Sequence, residues 1–439
     1  MTAHSFDPLA ATAAALTPST AALQAMSERF QEEIERGLGG RGGSLKVLPT
    51  FLRQPRGDER GEVLFVDWGG TRGRAGRVRL GGDGHVDMVQ EDVFTFSSED
   101  KAEPADHVFD TIAAALERVA GHDRSSRPLG LAYSFPARLE RIDRAIALPL
   151  TKGWQLPGLE GHDVVGLLAR ALQRRGLDNV AVSAVANDTV AALALLSFRI
   201  RSRDRAARPA EIGLIVGTGT NQAADLGTLG IRNLESGNFD AVTALEAPCD
   251  VALDREVREP RPGAQRLEKM VAGQYLGELV RRLVIDLAPR STLFRSWTGA
   301  AFHGPFGFET ANLSRIEADG SPDLSESERL LRGLGIESSA EERRALKTLA
   351  RLVVTRSARL IAAALLGTLR RIDPRLESPH RIAVDGSLYG GYPNYEGLVR
   401  QGLEELAGSV PADRVRLEFV KDSTGLGAAV IAAVARDRE

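Results

Sequence analysis

The chain has a single cysteine, Cys249, among its 439 residues. This count excludes an internal disulfide and a cysteine-rich zinc site, and it fits a reducing cytoplasm. The seven histidines are scattered along the chain. No two of them have the spacing of metal ligands, so the sequence offers no pattern for a transition metal held by the protein.

Long apolar runs and a strong excess of one charge are also missing. No run approaches the ~18 apolar residues of a membrane span. We expect no export or transit signal, because no basic region precedes an apolar core and glutamates come early. The net charge of -3, with both signs spread along the chain, argues weakly against nucleic acid or an anionic membrane as the main partner. The composition is that of a globular protein that handles small molecules.

Two stretches of the sequence follow the same pattern. "EVLFVDWGGTRGRAGRVRL" reads as an apolar strand, a glycine turn and a second strand, and "EIGLIVGTGTNQAADLG" repeats this arrangement in the second half. The pair predicts an internally duplicated α/β architecture. No linker rich in Pro, Ser or Gly divides the chain, so we expect two joined lobes with a ligand cleft at the carboxyl ends of the strands.

Helical periodicity marks several further segments. A helix is expected after Ser19 and Thr20, another within 164–175, and longer ones over roughly 263–287 and 338–372. The strand "NVAVSAVA" runs directly into "VANDTVAALALL", and the chain closes with the small-residue helix "GLGAAVIAAVA".

The first glycine turn, "DWGGTRGR", has residues suited to a phosphate. Gly69 and Gly70 let backbone N–H groups approach closely, Thr71 adds a hydroxyl, and Arg74 adds a positive charge. Asp67 at the strand end can hold Mg²⁺ through water. The competing interpretation is an ordinary hairpin turn.

The second glycine turn, "GTGTN", also has residues suited to a phosphate. Thr218 and Gly219 suit phosphate oxygens, and the Asn221 amide can donate to and accept from a hydroxyl. Two such turns in a duplicated setting indicate a clamp on the phosphates of one nucleotide, whereas the GxxxxGK[ST] loop is absent. "DGS", from Asp385, and "DSTGLGAA", from Asp422, end late strands similarly and leave room for a base or ribose, unless they are ordinary turns.

"VANDTV" places Asn187 and Asp188 between a strand and an apolar helix. The structural alternative is that Asp188 is simply the N-cap of that helix. However, Thr151, Lys152 and the turn "SFP" beginning at Ser134 supply hydroxyls and a cation from other turns. Together these side chains could bind a polyol and deprotonate it.

With these residues in place, the chain is similar to the hexokinase family, the eukaryotic-type hexokinases and glucokinases, over nearly its whole length. The matching phrases occur in order: "LPTFLR", "DWGGTRGR", "SFP", "TKGW", "EGHDVVGLLARALQRRG", "VANDTV", "GLIVGTGTN", "LEKMVAGQYLGELVR", "FETANLSRIEAD", "VDGSLY" and "GLGAAVIAAVA". The resemblance implies a duplicated actin-like (ribonuclease H-like) α/β fold with a sugar/ATP cleft. Residues 62–186 plus about 425–439 would form a small lobe, and 1–61 with 187–424 a large lobe.

The resemblance also implies roles for single residues. Asp188 would be the catalytic base, with Lys152 also catalytic, in transfer of the γ-phosphoryl group of ATP to the 6-hydroxyl of glucose or a related hexose. Sugar contacts would come from Ser134, Phe135, Pro136, Thr151, Lys152, Asn187, Asp188, Asn221, Glu235 and Glu268. Nucleotide contacts would come from Asp67, Gly69, Gly70, Thr71, Arg74, Gly217, Thr218, Gly219, Thr310, Ser314, Gly386, Ser387 and Thr424. Asp67 would hold Mg²⁺ through water, together with the ATP phosphates.

The sequence departs from the family pattern at three places. Glu235 is followed by "SGNFD" where the family usually has Trp-Gly-Ala-Phe-Gly, which leaves the sugar preference open. Trp154 replaces a phenylalanine, and Gln274 stands where a lysine is common. The alternatives are a catalytically weak hexose-sensing protein, or a kinase that prefers mannose, fructose or glucosamine. A monomer is expected, with a homodimer as the alternative.

Overall fold

The computed structural model describes residues 8–69, 72–121, 125–150, 154–297, 300–408 and 414–436. Its strands are β1 (Leu48–Pro49), β2 (Arg60–Trp68), β3 (Arg72–Gly81), β4 (Val86–Thr95), β5 (Arg127–Tyr133), β6 (Ala137–Arg141), β7 (Arg144–Ala147), β8 (Val180–Ala186), β9 (Ile212–Val216), β10 (Thr220–Asp225), β11 (Ile231–Asn233), β12 (His380–Asp385) and β13 (Val415–Phe419). Its α-helices are α1 (Pro8–Ala15), α2 (Thr20–Leu38), α3 (Ala105–Ala120), α4 (Val164–Arg174), α5 (Asp188–Arg203), α6 (Pro248–Glu256), α7 (Arg266–Val271), α8 (Gly273–Leu287), α9 (Ala300–His303), α10 (Thr310–Ala318), α11 (Ser325–Gly333), α12 (Ala340–Ile372), α13 (Ser387–Gly391), α14 (Tyr395–Ala407) and α15 (Ser423–Arg436). Short 3₁₀ turns cover Asp100–Ala102, Gly227–Leu229, Ser236–Asn238 and Thr243–Leu245.

The two main sheets have the same topology. One has the strand order β4-β3-β2-β5-β8, and the other has β1-β11-β10-β9-β12-β13. In each, three consecutive strands are antiparallel, a fourth strand pairs in parallel with the first of them, and a fifth pairs in parallel with the fourth. The second sheet differs only by β1, which pairs antiparallel with β11 at its edge. The predicted duplicated α/β fold is therefore confirmed.

Helices α5 and α15 lie between the two sheets. α15 packs on β2, β5 and β8, α5 packs on β9 and β12, and the two helices pack on each other. Their sequences explain this position, because α5 is apolar on nearly every side and buries most of its length. A helix that is apolar on every side is stable when other elements bury it on every side.

Glycines allow these layers to approach closely. A Cβ added at Gly130 of β5 would lie 2.0 Å from the carbonyl oxygen of Ala428 in α15. A Cβ at Gly427 of α15 would lie 2.1 Å from the carbonyl oxygen of Ala191 in α5. A Cβ at Gly213 of β9 would lie 1.9 Å from the carbonyl oxygen of Thr189 in α5. Sheet, helix, helix and sheet are thus in contact through their backbones.

The segment expected to be one helix over 263–287 is two helices, α7 and α8. The break is at Ala272, whose backbone is extended with φ -84° and ψ 149°. There the chain turns toward the second glycine turn, and the N–H of Gly273 donates to the carbonyl oxygen of Gly217 at 2.8 Å. Helical periodicity continues across the break, so the pattern alone did not reveal it.

Helix α12 is long and apolar enough to cross a membrane, judged by length and composition alone. Of its most apolar window, 83% is buried inside the protein. The core helix of a globular protein passes the same test, so this is weak evidence for a membrane span. A capping box between Ser339 and Glu342 starts the helix.

Asp319 joins α10 to α11 and is almost fully buried. Its carboxylate accepts the N–H and hydroxyl of Ser321 at 3.0 and 2.5 Å, and those of Ser327 at 2.7 and 2.8 Å. Burial alone would raise the pKa of Asp319, but these hydrogen bonds outweigh it and hold the pKa below the ordinary value. The ionised carboxylate therefore stabilises the connection between α10 and α11 and the first turn of α11.

The glycine contacts make a direct prediction. Gly213→Ala should lower the free energy of unfolding by about 3 kcal/mol, because the new methyl meets a backbone oxygen that cannot turn away. Urea denaturation measures the loss. Gly333→Ala in α11, where nothing lies within 4 Å of the added Cβ, is the matched control and should be neutral or slightly stabilising. Equal stability of the two variants would contradict the close packing.

A second prediction concerns Asp319. Asp319→Asn should cost about 3 kcal/mol of unfolding free energy at pH 7, because an amide cannot accept from both serine N–H groups. Since the folded pKa is lowered, the wild-type advantage is present above the unfolded pKa of ~3.9 and shrinks as pH falls below it. The difference in unfolding free energy between the wild type and Asp319→Asn, measured from pH 7 to pH 3, should therefore decrease. Asp286→Asn, at an exposed pair with Arg290, should cost less than about 1 kcal/mol.

Candidate active site

A cavity of about 360 Å³ lies where the carboxyl ends of strands from the two sheets meet. Most of the predicted sugar residues line it: Ser134, Phe135, Pro136, Asn187, Asp188, Asn221, Glu235 and Glu268. Gly69, Gly217, Thr218, Gly219, Gly386 and Ser387 from the predicted nucleotide set line it as well. Thr151 and Lys152 lie outside the described residues.

Strand ends explain why distant residues converge here. Ser134 follows β5, Asn187 follows β8, and Gly217 follows β9. β5 and β8 are parallel neighbours, so both deliver their next residues to the same edge of the first sheet. This is the edge at which open α/β sheets bind ligands.

The interpretation of Asp188 as the helix cap is wrong by one residue. Asn187 is the N-cap of α5, and its Oδ1 accepts the backbone N–H of Thr189 at 3.0 Å and the Thr189 hydroxyl at 2.7 Å. Asp188 is the first helical residue and is partly exposed in the cavity wall. Its Oδ1 also accepts the N–H of Thr189, at 2.8 Å.

Asn221 is held from four directions. Its Oδ1 accepts the backbone N–H of Gln222 at 2.7 Å and that of Ser236 at 2.9 Å. Its Nδ2 donates to Asn233 Oδ1 at 2.8 Å and to Asn187 Oδ1 at 3.2 Å. Asn233 is not among the residues predicted from the sequence, although its place at a strand end two positions before Glu235 was a signal.

Glu268 reaches the cavity from α7. Its Oε2 accepts the backbone N–H of Thr220 at 2.9 Å. The carboxylate passes so close to the second glycine turn that a Cβ at Gly219 would lie 2.7 Å from the same oxygen. The glycine at this position therefore makes room for the carboxylate, in addition to exposing backbone N–H groups.

A neighbouring cavity of about 790 Å³ contains the predicted nucleotide residues Thr310 and Ser314. It shares Thr218, Gln274 and Ser387 with the first cavity. Its wall also includes residues that the sequence analysis missed: Gly273, Phe306, Phe308, Glu309, Ala311, Arg315, Leu388 and Gly391. The Thr310 hydroxyl accepts the N–H of Gly277 at 2.9 Å, which anchors α10 on α8.

Asp67 and Arg74 face each other across the first hairpin. They are cross-strand neighbours, and Arg74 donates to Asp67 Oδ2 at 3.1 Å. Burial raises the pKa of Asp67, Arg74 opposes the shift, and the negative charges of Asp385 and Asp422 add to it. β2 and β3 form a hairpin, as the competing interpretation of the first glycine turn predicted. Gly70 and Thr71 lie outside the described residues.

Asp385 links the second sheet to α15. Its Oδ2 accepts the N–H of Ser423 at 2.8 Å and the Ser423 hydroxyl at 2.6 Å. Thr424 follows at the start of the helix, although it lines neither of the two cavities described above. The structure thus brings Asp67, Asp385 and Asp422 near one another, an arrangement that the sequence alone did not reveal.

An aromatic cluster supports the wall of the first cavity. The Trp68 ring lies 5.4 Å from Phe135 and 5.8 Å from Trp154, and both contacts are edge-to-face. Tyr133 and Phe109 complete the surroundings of Trp68 at 5.3 and 5.4 Å. Trp68 precedes the first glycine turn, and Phe135 belongs to "SFP". The cluster therefore fixes two parts of the site against each other.

Comparison with known proteins agrees with this geometry. A family model described as hexokinase matches residues 9–198, and a second with the same description matches residues 211–434. Hexokinase-2 of Saccharomyces cerevisiae is 30% identical over 453 residues, which cover 96% of this chain and 90% of that protein. Hexokinase-2 of Rattus norvegicus is 33% identical over 93% of this chain. The chain spans about half of the rat protein, 46%.

Solved structures show the same relationship. The hexokinase of Schistosoma mansoni complexed with glucose superposes with a TM-score of 0.84 at 29% identity, covering 98% of this chain and all of that one. A second hexokinase crystal structure also gives a TM-score of 0.84, at 28% identity and 97% coverage of this chain. These neighbours confirm the two-lobe, actin-like kinase fold. The chain belongs to the hexokinase family.

Proposed function

We propose that this protein is an ATP-dependent hexokinase that phosphorylates the 6-hydroxyl of glucose or a related hexose, with Asp188 as the catalytic base. The observation that carries the proposal is the pair of adjoining cavities. The first is lined by amide and carboxylate side chains suited to a polyol and by residues of the two glycine turns predicted to bind phosphate. The second contains Thr310 and Ser314 of the predicted nucleotide set. Thr218, Gln274 and Ser387 form the boundary between them, where a phosphoryl group would cross.

Several side chains suit a hexose rather than a smaller alcohol. Asp188, Glu235 and Glu268 contribute carboxylates to the lining of the first cavity, and Asn187 and Ser134 add an amide and a hydroxyl. A polyol offers several hydroxyls that donate to carboxylates and accept from amides. Glucose is the first candidate, because it is the ligand of the similar Schistosoma hexokinase.

Asp188 suits the role of base by its position. It lies in the first turn of α5, beside the Asn187 cap, and lines the same cavity as the second glycine turn. In phosphoryl transfer the transition state is loose, so the protein mainly positions the reactants and neutralises charge. Asp188 would orient the primary hydroxyl and accept its proton, while Lys152 would stabilise the phosphoryl group.

The described residues include no group of three or more histidine, cysteine or carboxylate side chains that could hold a metal ion, so a cation near Asp67 would depend on water and on the ATP phosphates. Burial raises the pKa of Asp67, Arg74 opposes this shift, and the negative charges of Asp385 and Asp422 add to it. A nearby cation would favour the ionised form of Asp67. We propose that Asp67 holds Mg²⁺ through water. Bound Mg²⁺ would neutralise negative charge on the ATP phosphates.

Closure of the two lobes would remove water, which otherwise competes with the sugar as acceptor. The backbone contact between α5 and α15 is the connection about which such a movement would occur. The lobe boundaries, the cytoplasmic location and the monomeric state stay predictions from the sequence.

Asp188→Ala tests the catalytic role. The variant should bind glucose nearly as well as the wild type but lose about 10²–10⁴-fold in kcat, because the hydroxyl proton has no acceptor. A coupled assay of glucose phosphorylation gives kcat, and calorimetry gives the affinity for glucose. Asp240→Ala removes an exposed carboxylate five residues after Glu235 and serves as the matched control. Near-normal turnover of Asp188→Ala would contradict the assignment of Asp188 as the catalytic base.

The acceptor is identified by a panel of glucose, mannose, fructose and glucosamine, each assayed with MgATP. We expect the highest kcat/KM with glucose. If another hexose gave the highest kcat/KM, the proposed acceptor would change but the proposed reaction would stand. A wild-type protein that binds glucose but phosphorylates no sugar in the panel would instead indicate a sugar-sensing protein.

A further inference from the structure

Asn233 lies behind the sugar cavity rather than in its wall. It is the last residue of β11, between Leu48 of β1 and Ala223 of β10, and its exposed fraction is 8%. It is not one of the residues that line the cavity of about 360 Å³. Any effect of Asn233 on a bound sugar must therefore pass through its neighbours.

The Asn233 amide binds two residues of the cavity wall. Its Oδ1 accepts from Asn221 Nδ2 at 2.8 Å and from the backbone N–H of Glu235 at 3.2 Å. Its Nδ2 donates to Glu235 Oε1 at 2.8 Å. Both lone pairs of the oxygen and one N–H are used. A flipped amide would set donor against donor at Asn221 and oxygen against oxygen at Glu235, so one orientation is fixed.

Glu235 needs this support because its backbone is in the left-handed region, with φ +53°. A side chain other than glycine there costs about 1–2 kcal/mol. Asn233 holds both the backbone N–H and the carboxylate of Glu235. These two bonds fix the direction of Glu235 Oε1 relative to the main chain.

The orientation set at Asn233 continues toward the base. Because Asn233 Oδ1 takes one N–H of the Asn221 amide, the other N–H points to Asn187 Oδ1 at 3.2 Å. Asn187 caps the helix that begins with Asp188. A row of three amides therefore joins Glu235, which follows β11, to the N-terminus of α5.

We propose that Asn233 is a positioning residue that fixes the Glu235 carboxylate and the Asn221 amide for hexose binding. The proposal rests on the function proposed for this cavity. The Asn233 amide donates to the Glu235 carboxylate and accepts from the Asn221 amide. A substitution can remove the donor toward Glu235 and keep the acceptor toward Asn221.

Asn233→Asp is the variant that tests the pairing. It keeps the shape and the acceptor toward Asn221, but it replaces the donor facing Glu235 by a second carboxylate oxygen. Two carboxylates in contact raise the pKa of one of them. At low pH they share a proton and the contact survives, whereas at higher pH they repel and Glu235 moves.

The KM for glucose of Asn233→Asp, divided by that of the wild type, should rise about fivefold or more between pH 5.5 and pH 8.5, as expected when the pairing raises the pKa of one carboxyl by at least about two units. The change in kcat should stay within about threefold, since the reacting groups are untouched. In a Glu235→Gln background the same substitution should leave KM unchanged with pH, because Gln can donate to the new carboxylate. Asn238→Asp adds the same charge close to Glu235, but the Asn238 amide donates to the Glu235 backbone carbonyl oxygen rather than to its carboxylate. This control variant should show no pH-dependent ratio.

Thermal unfolding gives a readout that does not depend on activity. The repulsion is present only above the raised pKa, so the Tm of Asn233→Asp should fall further below the wild-type Tm as pH rises. A ratio of KM values and a Tm difference that both stay constant with pH would overturn the proposal. An equal pH-dependent rise in KM in the Glu235→Gln background would also overturn the proposal. Failure of the wild type to phosphorylate any hexose would instead remove the proposed function, and the Tm comparison would still decide whether the pairing exists.

Discussion

The contact between two helix backbones between the sheets is the constraint on which the site depends. Gly427 brings α15 against α5, Gly130 brings β5 against α15, and Gly213 brings β9 against α5. With no side chain at these points, the two sheets are separated only by two helices in direct contact. The carboxyl ends of β8 and β9 therefore open into one cavity, and a residue on one sheet can reach a residue on the other.

The polar residues of the cavity follow from this arrangement. Asn187 leaves the first sheet and caps α5, so its side-chain oxygen is directed by the helix that it starts. Asn221, near the start of β10 in the second sheet, donates to that oxygen. Burial of unpaired amides in such a place would be costly, but each amide here satisfies another. The network thus explains why an Asn-Asp pair is stable within the apolar run "VANDTVAALALL".

Much of the fold could be predicted, because it depends on local periodicity and on a repeated strand-turn-strand pattern. The turn residues Gly217–Gly219 and the pair Asn187 and Asp188 were identified because each follows an apolar strand. Features that depend on distant contacts could not be predicted. Asp385 gains its role from Ser423, 38 residues away, and the extended backbone at Ala272 serves a contact to Gly217. The cap was assigned one residue late, since Asn and Asp are equally good caps in sequence.

The boundary formed by Thr218, Gln274 and Ser387 has a consequence for how this protein can change. Under the proposed function, a substitution at any of these positions alters the surroundings of both substrates, so donor and acceptor preferences would not evolve independently there. Glu235, Glu259 and Gln265 line the first cavity and not the second. Under the same proposal, substitutions near these three residues would change the range of accepted sugars without altering the second cavity, and the "SGNFD" turn begins directly after Glu235.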